Sequence, residues 1–221
     1  MPTSTAPLPR GPHKLTREEV EASQRERILI AMTEAVGAKG FANTLVADVV
    51  RGAGVSRATF YALFRDKDDC FAAAYAWAAA AMASTLEAAT TAAPNDSGAG
   101  GDDAFERLRA VLRAYLAWLA AAPELARTFL VEVYAAGSDA IEQRHESLGL
   151  FVDLVAATLG DRPGPFGDSP EQRFAVEALV SAVSSMVTHL VGTGQADRLP
   201  ELEEPLMELA HQLDGTTTTT P

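Results

Sequence analysis

The sequence predicts an all-helical protein in which an N-terminal unit of three helices precedes a larger helical unit, about nine helices in total. Three observations carry this. Apolar residues recur at three- and four-residue steps through most of the chain, and no run alternates with the two-residue period of a half-buried strand. Capping residues stand before the periodic stretches and Gly or Pro after them. Between Gly40 and Cys70, two short periodic stretches flank a tight Ala53-Gly54-Val55 break, the spacing of two short helices crossing through a sharp turn.

The first helix is expected from Thr16, where Thr16-Arg17-Glu18-Glu19 has capping-box spacing, through Ile28, Leu29, Met32 and Val36 to a stop at Gly40. Thr44 is assigned the cap of a second helix with Val46, Val49 and Val50 inward. Ser56 is assigned the cap of a third, whose apolar side is Phe60, Leu63 and Phe64. Asp66-Lys67-Asp68-Asp69 opens a long fourth helix through Phe71, Tyr75, Ala78, Met82 and Leu86, ending near Pro94. Residues 94–101, rich in Gly, Asn, Asp and Ser, read as a loop. A fifth helix carries Phe105, Leu108, Leu112, Tyr115 and Leu119; Pro123 stops it and opens a sixth with Leu125, Phe129 and Val133, ended by Gly137. In the seventh, Ile141, His145, Leu148, Val152, Val155 and Leu159 form a seam suited to antiparallel packing. Residues 160–170 are a second loop. The eighth helix, Pro170 to Val191, is apolar on more than one side and so needs two partners. Pro200 opens a ninth, with Leu202, Leu206, Leu209 and Leu213 at near-heptad spacing.

These elements divide into a tail at 1–15, a three-helix unit at 16–67, a larger unit at 68–214 and a second tail at 215–221, both tails expected without order. With 48% hydrophobic and 22% charged residues the composition is globular, and no window approaches eighteen uninterrupted apolar residues, so no membrane span is expected. The first residues lack the apolar core of a secretory signal. The single cysteine, Cys70, excludes an internal disulfide framework and a multi-cysteine metal site, and no cofactor or metal is expected; a reducing, cytoplasmic setting fits. The net charge of -12 is unevenly spread: residues 1–67 carry ten Lys/Arg and seven Asp/Glu, a net of +3, and the rest carries -15. That split is what a small phosphate-facing unit joined to a large acidic one with another task would show.

On the helix opened by Ser56, a 100° step per residue gathers Arg57, Ala58, Tyr61 and Ala62 on one side and Phe60, Leu63 and Phe64 on the other. The apolar side docks, leaving a guanidinium, a phenol and small residues for a major groove. Arg57 suits guanine O6 and N7, Ala58 permits close approach, Thr59 offers a hydroxyl and a methyl, and Tyr61 reaches a phosphate. Lys67 adds a point charge, and the helix starts at Thr44 and Lys67 turn backbone N–H groups toward phosphates. Arg10, Lys14 and Arg17 in the N-terminal region are candidates for a backbone or minor-groove contact, though a merely solvated tail accounts for them better.

This stretch, Arg25 to Trp77, resembles the DNA-binding region of the TetR family of bacterial transcriptional regulators. The Gly40-Phe41 pair, Thr44, Asp48, Ala53-Gly54-Val55-Ser56, Thr59-Phe60-Tyr61, Phe64 and Lys67 fall at the family's spacing. Leu45 stands where a second Thr is usual and Leu63 where His is common, neither on the groove side. The resemblance implies a palindromic double-stranded operator, a homodimer, and a helical ligand-binding domain over 68–214, most often in a repressor released by a small molecule.

Within that larger unit, Trp77, Met82, Phe105, Tyr115, Trp118, Phe129, Tyr134 and Met186 are the candidate lining for a largely apolar effector, although aromatic residues at helical spacing serve as plain core just as well. Glu87, Glu132 and Asp153 would matter for a cationic ligand and otherwise face solvent. His145 and His189 read as satisfied core or interface histidines rather than metal ligands. The dimer contact is expected through the helices near 170–191 and 200–213, since half-site recognition needs reading helices about one DNA turn, ~34 Å, or a multiple apart. Two alternatives remain at this point: a helical small-molecule-binding protein or activator without operator release, and a hydrolase using Ser56 in a loose G-x-S-x-A elbow. The second lacks the α/β alternation such an elbow needs.

Overall fold

The computed structural model describes residues 16–92, 101–159 and 170–215. The tails at 1–15 and 216–221, the loop residues 94–100 and 160–169, and with them Arg10 and Lys14, lie outside the described residues. Nine α-helices make up the described fold, with no strand among the described residues: α1 (Arg17–Lys39), α2 (Val46–Ala53), α3 (Arg57–Leu63), α4 (Lys67–Ala92), α5 (Gly101–Ala121), α6 (Pro123–Leu130), α7 (Ser138–Leu159), α8 (Pro170–Gly192) and α9 (Glu203–Gly215).

Local chemistry sets most of the ends. Thr16 closes a reciprocal capping box with Glu19, and Gly40 stops α1 by donating its N–H to the Val36 carbonyl. Ser56 accepts the Thr59 N–H at 3.0 Å, and Asp66 accepts that of Asp69 at 2.8 Å ahead of α4. Gly54 turns the chain between α2 and α3 in the left-handed region, φ +61°, where a side chain would be strained.

Three expected ends differ. Thr44 does not cap α2: the cap position is Leu45, whose N–H is taken by the Asp48 carboxylate at 2.9 Å, while the buried Thr44 hydroxyl donates toward the Ala35 and Gly40 carbonyls. The sixth helix breaks after Leu130 and continues as a 3-10 turn, Glu132–Ala135, because the Glu132 side chain is drawn back to the end of α1 and to Arg127. Pro200 falls inside a second 3-10 turn, Ala196–Leu202, and α9 starts at Glu203 with Pro205 in its first turn, where a missing N–H costs nothing.

Two apolar clusters fill the interior. The first joins Ile28, Met32, Val36, Val49, Phe60 and Phe64 to Cys70, Phe71, Ala74, Tyr75 and Ala78 of α4 and reaches Phe129 and Val133; it runs across the expected division at 67/68. The second packs α5 against α4, α7, α8 and α9 through Leu86, Leu116, Leu119, Leu159, Val187 and Met207. Burial pushes the Cys70 thiol up to about 12, so it serves as a small apolar side chain. An ion cluster of Arg109 and Arg113 with Glu203 and Glu204 ties α9 to α5. Arg173–Gly192 is long and apolar enough to cross a membrane by length and composition, with mean hydropathy 1.6; in this fold its inner side packs on α6 and α7.

Candidate nucleic-acid interface and effector pocket

The candidate reading surface is the exposed side of α3. Phe60 is fully buried and Phe64 nearly so, anchoring the helix against α1, where Arg25 lies over the Phe64 ring at 4.9 Å. With that side fixed, Ser56, Arg57, Ala58, Tyr61 and Ala62 are exposed and Thr59 is half-buried. Arg57 has no ion pair or hydrogen bond among the described residues, so its guanidinium is available. Tyr61 is 54% exposed and rests edge-on against Phe60, which aims the phenol outward. The Ser56 hydroxyl is engaged with both the N–H and the hydroxyl of Thr59, which fixes it as the cap of α3.

Two of the expected DNA contacts have side-chain partners within the chain. Thr44 is fully buried, its hydroxyl donated toward the Ala35 and Gly40 carbonyls. The half-buried Lys67 ammonium lies 4.0 Å from the Phe41 ring and donates to the Phe41 carbonyl at 2.9 Å, clamping the start of α4 to the end of α1. Sequence reasoning passed over Arg51 and Arg65, whose side chains are 76% and 83% exposed on either side of α3. Their places flanking α3, Arg51 in the last turn of α2 and Arg65 just after Leu63, were the available signal.

In the larger unit, α4, α5, α7 and α8, with α9 bordering one and α6 the other, line two adjoining chambers. One, holding about 70 Å³, is lined by Leu108, Val111, Leu112, Leu154, Leu179 and Met207 among others and is almost wholly apolar. The other, about 50 Å³, lies toward α6 and is bounded by Tyr75, Met82, Trp118, Phe129, Arg144 and Ser147. Tyr115, Leu148, Phe151 and Ser184 border both, forming the partition. Burial pushes the Tyr115 phenol up to about 12, with the Arg144 charge pulling the other way, so the hydroxyl stays protonated as a donor.

Of the eight candidate lining residues, Met82, Tyr115, Trp118 and Phe129 meet these chambers. The other four sit elsewhere. Trp77 packs on the first apolar cluster, Phe105 stacks on His211, Tyr134 is 56% exposed, and Met186 is on the outer side of α8. Glu87 is exposed; Asp153 pairs with Arg173, and Glu132 accepts the Phe41 N–H at 3.0 Å and an Arg127 N–H at 3.1 Å. His145 and His189 are exposed, not seated in core. Where His145 was expected inward, the neighbouring Arg144 is buried instead, a side chain that sequence reasoning passed over. Ala140 and Leu148, each four residues away on the same side of α7, were the signal that pointed to it.

Fold and exposed helix together are those of a helix-turn-helix transcription regulator, with a larger helical domain following the helix-turn-helix. The model of the bacterial regulatory proteins of the tetR family matches residues 28–74, the helix-turn-helix and its flanks. The chain shares the fold of that family's regulators. It is similar to the fatty acid degradation regulator FadR from Bacillus halodurans and to FadR from Bacillus subtilis solved with stearoyl-CoA, each at TM-score 0.70 and 20% identity over 83% of this chain and 96% of the other. A TetR-like transcriptional regulator from Rhodococcus sp. RHA1 matches at TM-score 0.59 and 19% identity over 90% and 99% of the two chains. No curated protein matches in sequence.

Proposed function

We propose that this chain is a cytoplasmic, homodimeric repressor that binds a palindromic operator and leaves it when a largely apolar small molecule enters the chambers between α4, α5, α7 and α8. One observation carries the DNA half: Arg57, Ala58 and Tyr61 stand exposed together on a helix whose other side is locked by Phe60 and Phe64. The adjoining apolar chambers support the effector half, and the stearoyl-CoA complex of Bacillus subtilis FadR makes fatty-acyl compounds a rational first screen.

A contiguous path supports coupling between the two halves. Phe129 borders the second chamber and packs edge-on against Tyr75 at 5.2 Å and against Phe71 at 6.2 Å; Phe71 in turn meets Phe41 at 5.0 Å. Phe41 gives its N–H to Glu132 and its carbonyl to Lys67. A ligand that displaces Phe129 therefore bears on the junction of α1, α4 and the turn after α6, and through it on the position of α3. It shifts the equilibrium only by its difference in affinity for the two states.

Footprinting on the DNA upstream of the protein's own coding sequence is expected to reveal a protected palindrome. On that operator, Arg57→Ala should cost about 1–3 kcal/mol and relax the preference at one base per half-site. Unchanged discrimination in the variant removes Arg57 from the groove. Equal operator affinity with and without a saturating ligand, at matched salt, leaves the alternative of a ligand-binding protein or activator without release.

A further inference from the structure

Arg144 is 5% exposed, and it is the one charged side chain among the described residues that is more than nine-tenths buried. Burying an ionised group is costly unless it is paired, and arginine does not escape that cost by shedding its proton. Its partners here are all neutral: the Tyr134 hydroxyl at 3.1 Å, the Ser184 hydroxyl at 2.9 Å, and longer contacts to the Thr188 hydroxyl at 3.4 Å and the Phe129 carbonyl at 3.5 Å. No carboxylate of the described residues lies within 4.0 Å of it, whereas Arg51, Arg65, Arg109, Arg113, Arg127 and Arg198 each have one. Five N–H donors meet two short hydrogen bonds and two at the outer limit of distance, so the fork is under-occupied. Arg144 borders the second chamber, beside a partition that includes Tyr115. Tyr115 makes no hydrogen bond among the described residues, which leaves its hydroxyl as a further donor.

We propose that Arg144 is the anion-binding residue of the effector pocket and that the effector is an amphiphile: an apolar chain ending in a carboxylate, with the head on Arg144 and the chain in the α5–α8 chamber. This rests on the reading of the two chambers as an effector site. Chamber sizes of about 70 and 50 Å³ fix the mode of entry. Each is smaller than the ~150 Å³ cavity that admits benzene, so a chain of any length requires the partition of Tyr115, Leu148, Phe151 and Ser184 to move. Ser184 is also a hydrogen-bond partner of Arg144, and the Phe129 carbonyl is another. A carboxylate that takes the guanidinium competes with both, and so loosens α6 where Phe129 begins the path to Phe41.

The test compares straight-chain alkanoates, hexanoate to octadecanoate, with the primary alcohols of equal length on the full chain. Binding is followed by tryptophan fluorescence in a Trp77→Phe background, where the signal comes from Trp118 beside the second chamber. At the best-fitting length the alkanoate should bind about tenfold or more tighter than the alcohol, the range of a charge-assisted hydrogen bond. Arg144→Met should erase that preference and leave the weaker binding of the alcohol. Arg144→Lys, which keeps the charge and loses the fork, should retain part of the preference. Equal binding of acid and alcohol by the wild-type protein at every length, absence of binding by any alkanoate, or a preference that survives in Arg144→Met overturns the proposal. Operator release is read separately by fluorescence anisotropy of labelled DNA. An alkanoate bound through Arg144 that leaves operator affinity unchanged refutes the effector role and not the anion site.

Discussion

Lys67 illustrates how one side chain serves two elements. The sequence places it at the start of α4 as a phosphate contact, and its ammonium also seals the Phe41 carbonyl and covers the Phe41 ring. Lys67→Ala should therefore lower stability by about 1–2 kcal/mol, from one charge-assisted hydrogen bond and a cation–π contact, before any loss of DNA affinity is counted. A variant with the wild-type urea midpoint would show that the clamp is idle. Asp48 provides a second test at this scale. A hydrogen bond from Lys39, then the Leu45 N–H, hold its carboxyl below the ordinary 3.8, with Lys39 and Arg51 adding charge attraction. A depressed carboxylate stabilises the fold fully above its unfolded value and loses that contribution as pH falls through the folded one. Asp48→Asn should flatten the stability–pH curve below about 4 and leave its slope near pH 7 unchanged. A curve with the same acid limb in both proteins would remove Asp48 as its source.

Between elements, the contact that fixes the DNA-binding unit to the rest is α1 on α6. Gly37 allows it: a Cβ there would stand 2.5 Å from the Glu124 carbonyl oxygen and 2.7 Å from its Cβ, too close for any side chain. The Thr128 hydroxyl donates across the same contact to the Thr33 carbonyl at 2.9 Å. In an isolated helix, alanine would be favoured over glycine by about 1 kcal/mol. Here Gly37→Ala should instead destabilise, by on the order of 1–3 kcal/mol, because backbone has to move. A raised midpoint in chemical denaturation would contradict the close approach. The rotation of α7 belongs to this scale too. A 100° step separates residues 144 and 145, and a seam drawn through His145 differs from the buried one by that step. Apolar periodicity could not separate the two, because the residue turned inward is charged and is held there by Tyr134 from the chain before α7 and Ser184 from α8.

For the whole molecule, the outer side of α8 is the feature that asks for a partner. Its inner side gives Val176, Leu179, Val187 and Val191 to the core, while Phe174 stays 71% and Met186 40% exposed. Leu206, Met207 and Ala210 of α9 are almost fully buried within the chain, so α9 spends its apolar side on the monomer and α8 is the stronger candidate for the twofold contact. Phe174→Glu should shift a dimer toward monomer in sedimentation, and operator affinity should fall with it as the two reading helices lose their fixed spacing. An unchanged sedimentation coefficient would place the dimer contact elsewhere. The charge split has its physical setting in the same frame: the net positive residues belong to the unit that presents Arg57, and the acidic excess to the unit that encloses the chambers.

The sequence alone determined the all-helical class, the helix-turn-helix and the caps at Thr16, Ser56 and Asp66, because these follow from chemistry within a few residues: apolar spacing, a hydroxyl or carboxylate against free N–H groups, a glycine at positive φ. It also determined the exposed side of α3, since burial of Phe60 and Phe64 leaves Arg57 and Tyr61 outward. Only the tertiary structure decided that Thr44 and Lys67 turn inward, that four of the eight candidate lining residues meet the chambers, and that Arg144 is buried. Each of those depends on partners distant in the chain, such as Ala35 for Thr44, Phe41 for Lys67, His211 for Phe105, and Ser184 and Thr188 for Arg144. No periodicity within a single helix encodes a contact made between helices.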